Sequence, residues 1–473
     1  MSSSLSTSTR TFFATGAVAS SVVLNLTASF ILIYYSRVLG APPGLVGAAL
    51  AIALVFDGVS DPVIGYMSDH TKSRWGRRHP YMYIAIVPVT LLCWAVWNPP
   101  SSLGPIELVL YLIATIVPLR IALGVFEVPN VALTAELTDD YDERTRLAVY
   151  RTCTSWLFFT VFSAMVYGYW LQDSPDYPDG LLNPEGYRNM SIAASLLVLA
   201  AMLISSIGLH GLIPRFSKPS SEHHWSIRDL FVSFQGVLSE RALVPLFLSG
   251  AAISTGFAVY GALFAIYYNN FWGLNSLELS LTMAPFACGA LVGIFAAPYL
   301  NRFREKRTIA IVATSVLCVS VATPVLLGIL GLAPMSGGTA GYFVIYGFLF
   351  VDMVTYVLVM GSLFSMITDA VEHRALLREG RREEGTIFAV QTFVLKASSA
   401  LGVLFAGIAL QVIGFGNEGG SADPELANKI GLTWISLNLA FYFLGICPIL
   451  FYRFTRKRHL ENIAKLSDGS EIA

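Results

Sequence analysis

Charge is what this sequence has least of. Only 13% of its 473 residues are Asp, Glu, Lys or Arg, against 55% hydrophobic residues and a mean hydropathy of +0.63. A soluble chain of this length would carry about a quarter charged residues, so an ordinary globular enzyme or binding module is excluded. Cysteine is scarce too. All five (Cys93, Cys153, Cys288, Cys318 and Cys447) fall inside apolar stretches rather than polar loops. That excludes a disulfide scaffold and leaves them as small apolar packing residues. The seven histidines sit in loops or at helix ends, with no pair at metal-ligand spacing on one helix face. With neither HExxH nor GxSxG present, an intramembrane hydrolase has no residues to stand on, and no enzyme and no resident cofactor are expected.

What the chain does have is a series of apolar runs of about twenty residues, the length that spans a hydrocarbon core of about 30 Å. Twelve are expected, at 11–35, 45–66, 80–98, 106–136, 147–171, 190–212, 241–270, 278–300, 307–330, 341–370, 386–414 and 427–452. The first is too long for a signal-peptide core and is expected to remain as a helix. Basic residues cluster in alternate loops: 24 of the 30 Lys and Arg lie at Arg10, Lys72–Arg78, Arg144–Arg146, Arg215–Arg241, Arg302–Arg307, Arg374–Arg382 and Arg453–Lys465. The other set of loops holds Arg37, Arg188 and Lys429. The positive-inside rule then puts both termini in the cytoplasm of a multi-pass plasma (inner) membrane protein. The same rule accounts for the basic clusters, so nucleic acid is not expected as a partner.

The longest polar connection, 213–240, separates six runs from six. Its second part, Ser226–Leu238, reads either as an interfacial amphipathic helix or as an ordinary linker. The expected organisation is a bundle at 1–212, the linker 213–240, a second bundle at 241–453 and a tail at 454–473. The bundles echo one another. Asp69 and Asn301 each open a basic loop and lie 232 residues apart; Glu136 and Asp369 each end a helix and lie 233 apart. Duplicated bundles of this kind place a binding site between the halves at mid-membrane in one large transporter class.

Away from helix ends the apolar runs contain few charges: Asp57 and Asp61, Arg120 and Glu127, Arg151, Asp352, and Lys396. Ionisable groups at such depth mark function by default, because burying them is expensive. Asp57 and Asp61, at i and i+4, share one helix face about 6 Å apart. Two carboxylates that close resist joint ionisation and take up a proton or a monovalent cation, unless they only balance nearby bases. Glu127 precedes Pro129, which frees a backbone carbonyl beside the acid. Arg151 either hydrogen-bonds a solute or neutralises the acids. Lys396 lies too deep to snorkel fully to the interface. Gln391 and Thr392, a turn below it, serve either the solute or interhelical contacts.

These residues carry a resemblance. The run Asp57-Gly-Val-Ser-Asp61-Pro62-x-x-Gly65-x-x-x-Asp69-x-Thr71-x-Ser73-Arg74-Trp75-Gly76-Arg77-Arg78-x-Pro80 resembles the signature of the glycoside–pentoside–hexuronide:cation symporters, a branch of the major facilitator superfamily. A second stretch agrees: Asp369-x-x-Glu372, Arg382-x-Glu384-Gly385, Gln391-Thr392 and Lys396. The resemblance spans both halves and implies an all-α, twelve-helix carrier that works by alternating access. It implies that Asp57 and Asp61 bind the coupling cation, sodium or proton. Glu127, Arg151, Gln391, Thr392 and Lys396 then stand at substrate or coupling positions, and Asp69, Arg74, Arg77, Arg78, Glu136, Asp369 and Arg382 at gates.

Two departures bear on the solute. The helix-1 acid with which sugar permeases of this kind grip a galactoside falls at Ser21, and their aromatic platform falls at Val131. Vertebrate lysolipid carriers share the scaffold, and Arg120 would suit an anionic head group. The expected function is therefore cation-coupled symport of a glycoside, hexuronide or related organic solute, with a lysolipid or anionic amphiphile as the alternative and an uncoupled facilitator or channel as another. The partners expected are the solute and membrane lipids, with no obligate protein. Finally, Arg120 and Asp352 lie 232 residues apart, the repeat offset. They are expected to meet as a latch when the outer side closes, unless Arg120 pairs with Glu127 on its own helix.

Overall fold

In the computed structural model, residues 5–138, 140–215, 236–237, 240, 243–332, 339–377, 384–415 and 424–452 are described. Most of the linker, Arg382 and the tail from 453 onward therefore lie outside the described residues, as does the side chain of Glu372.

Every expected apolar run is helical. The helices are α1 (Thr7–Ser29), α2 (Pro43–His70), α3 (His79–Ala95), α4 (Pro105–Ala132), α5 (Tyr141–Met165) and α6 (Pro184–His210). They continue with α7 (Val244–Asn270), α8 (Ser276–Leu281 running on as Met283–Phe303), α9 (Lys306–Ile329), α10 (Thr339–Leu377), α11 (Glu384–Val412) and α12 (Pro424–Phe451). Short helical pieces, Ile31–Ile33 and then a π-helical turn at Tyr34–Val38, carry α1 further. Among the described residues, ten helices are long and apolar enough to cross a membrane, and α3 is a shorter apolar one. Helix α5 is long enough but too polar over its first turns, where Asp142, Glu143, Arg144, Arg146 and Arg151 crowd.

The side chains are arranged for lipid. Ile84, Leu91, Phe295 and Phe343 are 60–77% exposed, although each is large and apolar. In water so many exposed large side chains would be a liability; in a bilayer they face a solvent of their own kind.

By contacts the chain forms two compact units. The first comprises residues 1–223 with 261–283 and 403–430; the second comprises 224–260, 284–402 and 431–473. In the first unit α1 packs on α5 and α6, α2 on α4, and α3 on α4 and α6. Polar side chains fasten these crossings. Ser21 donates to the Ser155 carbonyl at 2.6 Å, and Asn25 donates to Ser163 Oγ at 2.5 Å, tying α1 to α5. In the second unit α9 packs on α10. An apolar core there gathers Leu246, Phe247, Ile253, Leu358, Val359 and Leu363.

Candidate functional site

The first unit brings together five of the charges expected within the membrane. Asp57 is 6% exposed, on the α2 face that packs against α4. Arg120 of α4 lies opposite it, Nη1 to Asp57 Oδ2 at 3.7 Å, and its Nη2 donates to Thr27 Oγ1 of α1 at 3.3 Å. One turn along, Gly124 allows the Asp61 carboxylate to lie against α4. A Cβ at that position would stand 2.9 Å from Asp61 Oδ1. A further turn along, Glu127 meets the Arg151 guanidinium of α5 at 3.2 Å. Arg151 also donates to Asn130 Oδ1 and lies over the Phe13 ring, 5.7 Å from its centroid. Asn130 in turn donates to Ser205 Oγ of α6 at 3.1 Å. Three acids and two arginines therefore form one polar ladder along α4, buried at Asp57 and Arg120 and half-buried at Asp61, Arg151 and Glu127, with walls from α1, α2, α5 and α6.

The structure gives Arg120 a partner that neither sequence-based expectation named. Within the first unit its acid is Asp57, on the neighbouring helix, rather than Glu127 on its own. Asp352 belongs to the second unit. There it is 3% exposed and accepts from the Tyr260 hydroxyl at 3.5 Å, while Tyr260 packs on Trp434 at 4.6 Å between ring centroids. Among the described residues no base forms a salt bridge with Asp352. In the same unit Gln391 is buried and Lys396 partly exposed, one turn or more apart on α11, and the Thr392 hydroxyl donates to the Phe388 carbonyl at 2.9 Å.

The residues expected at gates fall into matching groups. In the first unit Arg77 reaches Glu136 at 2.8 Å, Arg78 donates to the same carboxylate, and Arg78 pairs with Asp69 at 3.0 Å. Arg74 lies over the Trp75 ring at 5.1 Å. In the second unit Lys306 holds Asp369 at 2.7 Å. The two acids that marked the sequence repeat are thus each clamped by a base, although Asp369 was expected to end its helix and α10 runs on to Leu377.

At the other end of the first unit, segments from the two sequence halves are joined. Asp173 accepts from Ser276 Oγ at 2.9 Å, and Ser280 donates to the Ala164 carbonyl at 3.0 Å. Gly44 N–H donates to Gln411 Oε1 at 3.1 Å, and the α2 and α11 backbones cross so closely that a Cβ on Gly47 would stand 3.1 Å from Gly407 Cα. Arg37 lies over the Phe415 ring at 4.9 Å. Nearby, burial pushes the Asp179 carboxyl up from its ordinary range, against the opposing pull of the Leu181 N–H and the Arg37 guanidinium. Asp173, Ser276, Ser280, Gln411 and Gly407 carry no sequence signal: each is a common polar or small residue, recognisable only by its neighbour.

With this geometry in view, the comparisons are direct. The family described as MFS/sugar transport protein is matched over residues 12–456. A segment of 206 residues is 30% identical to the "Uncharacterized symporter sll1374" of Synechocystis, covering 42% of this chain and 37% of that one. The "Glucuronide carrier protein homolog" of Escherichia coli is 23% identical over 491 residues, covering 100% of this chain and 98% of its own. Among solved structures, the inward-open xylose transporter XylE from E. coli superposes with a TM-score of 0.60 at 14% identity, covering 97% of each chain. The chain belongs to the MFS/sugar transport family. It is a transporter rather than an enzyme, a multi-pass protein of the inner membrane with the all-helical major facilitator fold.

Proposed function

We propose that this transporter is a cation-coupled symporter for a hexuronide, glycoside or related organic solute, with both termini cytoplasmic, working by alternating access. The observation that carries the reading is the polar ladder of Asp57, Asp61 and Glu127 with Arg120 and Arg151. Carboxylates held at membrane depth are costly to keep ionised, and three of them lie together here. A cation travelling with the solute would remove that cost, which is the physical basis of coupling. Glu127 and Arg151 offer the solute an acceptor and a fork of donors, with Gln391, Thr392 and Lys396 proposed as further solute or coupling contacts. Arg77, Arg78 and Glu136, and Lys306 and Asp369, are proposed as ties that part and reform during the cycle.

Neutral galactosides suit the site poorly. Ser21 stands where the galactoside-gripping acid is expected, and its hydroxyl is engaged by α5. The similarity to a glucuronide carrier homologue favours a sugar acid over a neutral sugar. The test is uptake into proteoliposomes of a panel of uronides, neutral glycosides and lysolipids, under imposed sodium or proton gradients. Concentrative uptake of a uronide under one gradient is the expected result. Flux that only equilibrates, whatever the gradient, would refute coupling; lysolipid uptake alone would refute the solute class.

A further inference from the structure

We infer that the cavity at the start of α6 is a binding site for one phospholipid whose head group carries a primary ammonium, with the phosphate on Arg188, the ammonium on Glu185 and an acyl chain along α3.

The cavity, of about 630 Å³, lies at the end of the first unit away from the basic loops, where α3 stops and α4 and α6 begin. Its inner wall is already built. Tyr34 and Trp97 are buried there; Trp97 stacks on Tyr187 with 5.8 Å between centroids, and its carbonyl accepts from the Tyr34 hydroxyl at 2.9 Å. The Asn98 amide is spent on the Trp94 carbonyl at 2.8 Å and on Ser191 Oγ at 3.0 Å. The rim is charged. Glu185 and Arg188 stand about one turn apart on α6, both exposed and both lining the cavity. At that spacing they share a helix face and could pair. They do not: among the described residues neither side chain has an ion pair or a hydrogen bond. A phosphoethanolamine head group presents the same two charges with opposite signs. The guanidinium fork suits phosphate oxygens, and the carboxylate accepts from the N–H groups of the ammonium.

What adjoins the rim selects a lipid over a dissolved solute. Ile84, Val87, Leu91 and Trp94 follow one another on α3 at i, i+3, i+7 and i+10, all 44–70% exposed. That spacing makes one apolar stripe on one helix face. Ile106 and Leu110 of α4, which packs beside α3, are exposed as well. From Ile84 to Trp94 is about 15 Å at 1.5 Å per residue, half of a hydrocarbon core of about 30 Å, so the stripe is one leaflet deep. It ends at Trp94, which lines the cavity. A tryptophan at such a junction of apolar and polar surface marks head-group level. A dissolved sugar would need an open ring face to stack on, and the rings of the inner wall pack on one another. The head group would also touch Val38 and Leu39, beside Arg37 and its contact with Phe415.

The test is native mass spectrometry of the purified protein in detergent, mixed with equal amounts of dioleoyl phosphatidylethanolamine, phosphatidylcholine and phosphatidylglycerol. The wild type should retain one phosphatidylethanolamine in preference to the other two. Arg188→Gln and Glu185→Gln should each lower its occupancy about tenfold, the loss of one charge-assisted hydrogen bond. Glu185→Lys should turn the preference to phosphatidylglycerol, whose head group has a phosphate and no ammonium. Should one of these variants fail to fold, Ser101→Trp, which fills the cavity from its loop, takes its place and should lower the occupancy too. Equal retention of the three lipids, or a preference that survives the substitutions, would overturn the proposal. So would displacement of the bound lipid by glycerophosphoethanolamine at equal concentration, because that head group lacks the chains the stripe is proposed to hold.

Discussion

The two units treat a buried carboxylate in different ways. In the first, the buried Asp57 faces an arginine, as does the half-buried Glu127. In the second, Asp352 sits at similar depth of burial, accepting from the Tyr260 hydroxyl with aromatic rings beyond. An acid facing a base belongs to a pair that neither member can leave cheaply. An acid facing a hydroxyl can be replaced by an amide of the same shape, with a hydrogen bond kept and no opposite charge stranded. Asp57 is thus held in an ion pair, whereas Asp352 is a polar spot inside an aromatic wall.

The largest effect expected from this contrast is at Asp57. Asp57→Asn strands Arg120 and should abolish gradient-driven accumulation. It should also destabilise the protein by about 3–5 kcal/mol, as removal of one member of a buried pair does. Thermal melting would show this, and Asp57→Asn combined with Arg120→Gln should be more stable than Asp57→Asn alone. Reversing charges across the units tests the same point. Arg120→Asp with Asp352→Arg should recover no transport, because Arg120 is paired with Asp57; substantial recovery would restore the latch. Next in size is Gly124→Ala. The new methyl presses on Asp61 Oδ1, and overpacking of this kind costs about 1–3 kcal/mol. Transport should fall with it, measured as initial uptake rate at equal protein in the vesicles, whereas alanine at Gly347, which has open space around it, should leave the rate unchanged. The smallest effect is at Asp352. Asp352→Asn should shift stability by less than about 1 kcal/mol, read from the same melts. A loss as large as that of Asp57→Asn would erase the distinction between the units.

Much of this was legible in the sequence, and the limits have physical causes. Length and hydropathy located the helices because a bilayer demands them. Two helices stray from the pattern: α3 is shorter than the rest, and α5 bears several charges near its start. The acids Glu136 and Asp369 were visible as repeat landmarks, and each is now seen clamped by a base. Arg151 was expected to neutralise acids or bind solute, and its contact with Glu127 serves the first purpose. The pairing of Arg120 was missed. A repeat offset says that two positions are equivalent, which relates them by symmetry and does not bring them into contact. Which helix lies beside which is decided by packing, and the decisive neighbour of Asp57 came from α4, 63 residues away. Gly124 was passed over for a related reason: its contribution is the side chain it does not have.

The crossing of Gly47 and Gly407 has its own consequence for speed. Interlocked side chains must find new rotamers each time a seam parts, and each rearrangement slows the motion. Two bare backbones have nothing to unpick. What fastens this seam is then polar, Gly44 on Gln411 beside it, with Ser276 on Asp173 serving the same purpose between α8 and the α5–α6 connection. Such bonds are exchanged readily for bonds to water. The turnover of the carrier would be set by how quickly those few fasteners let go, much as a door with a smooth jamb opens at the pace of its catch.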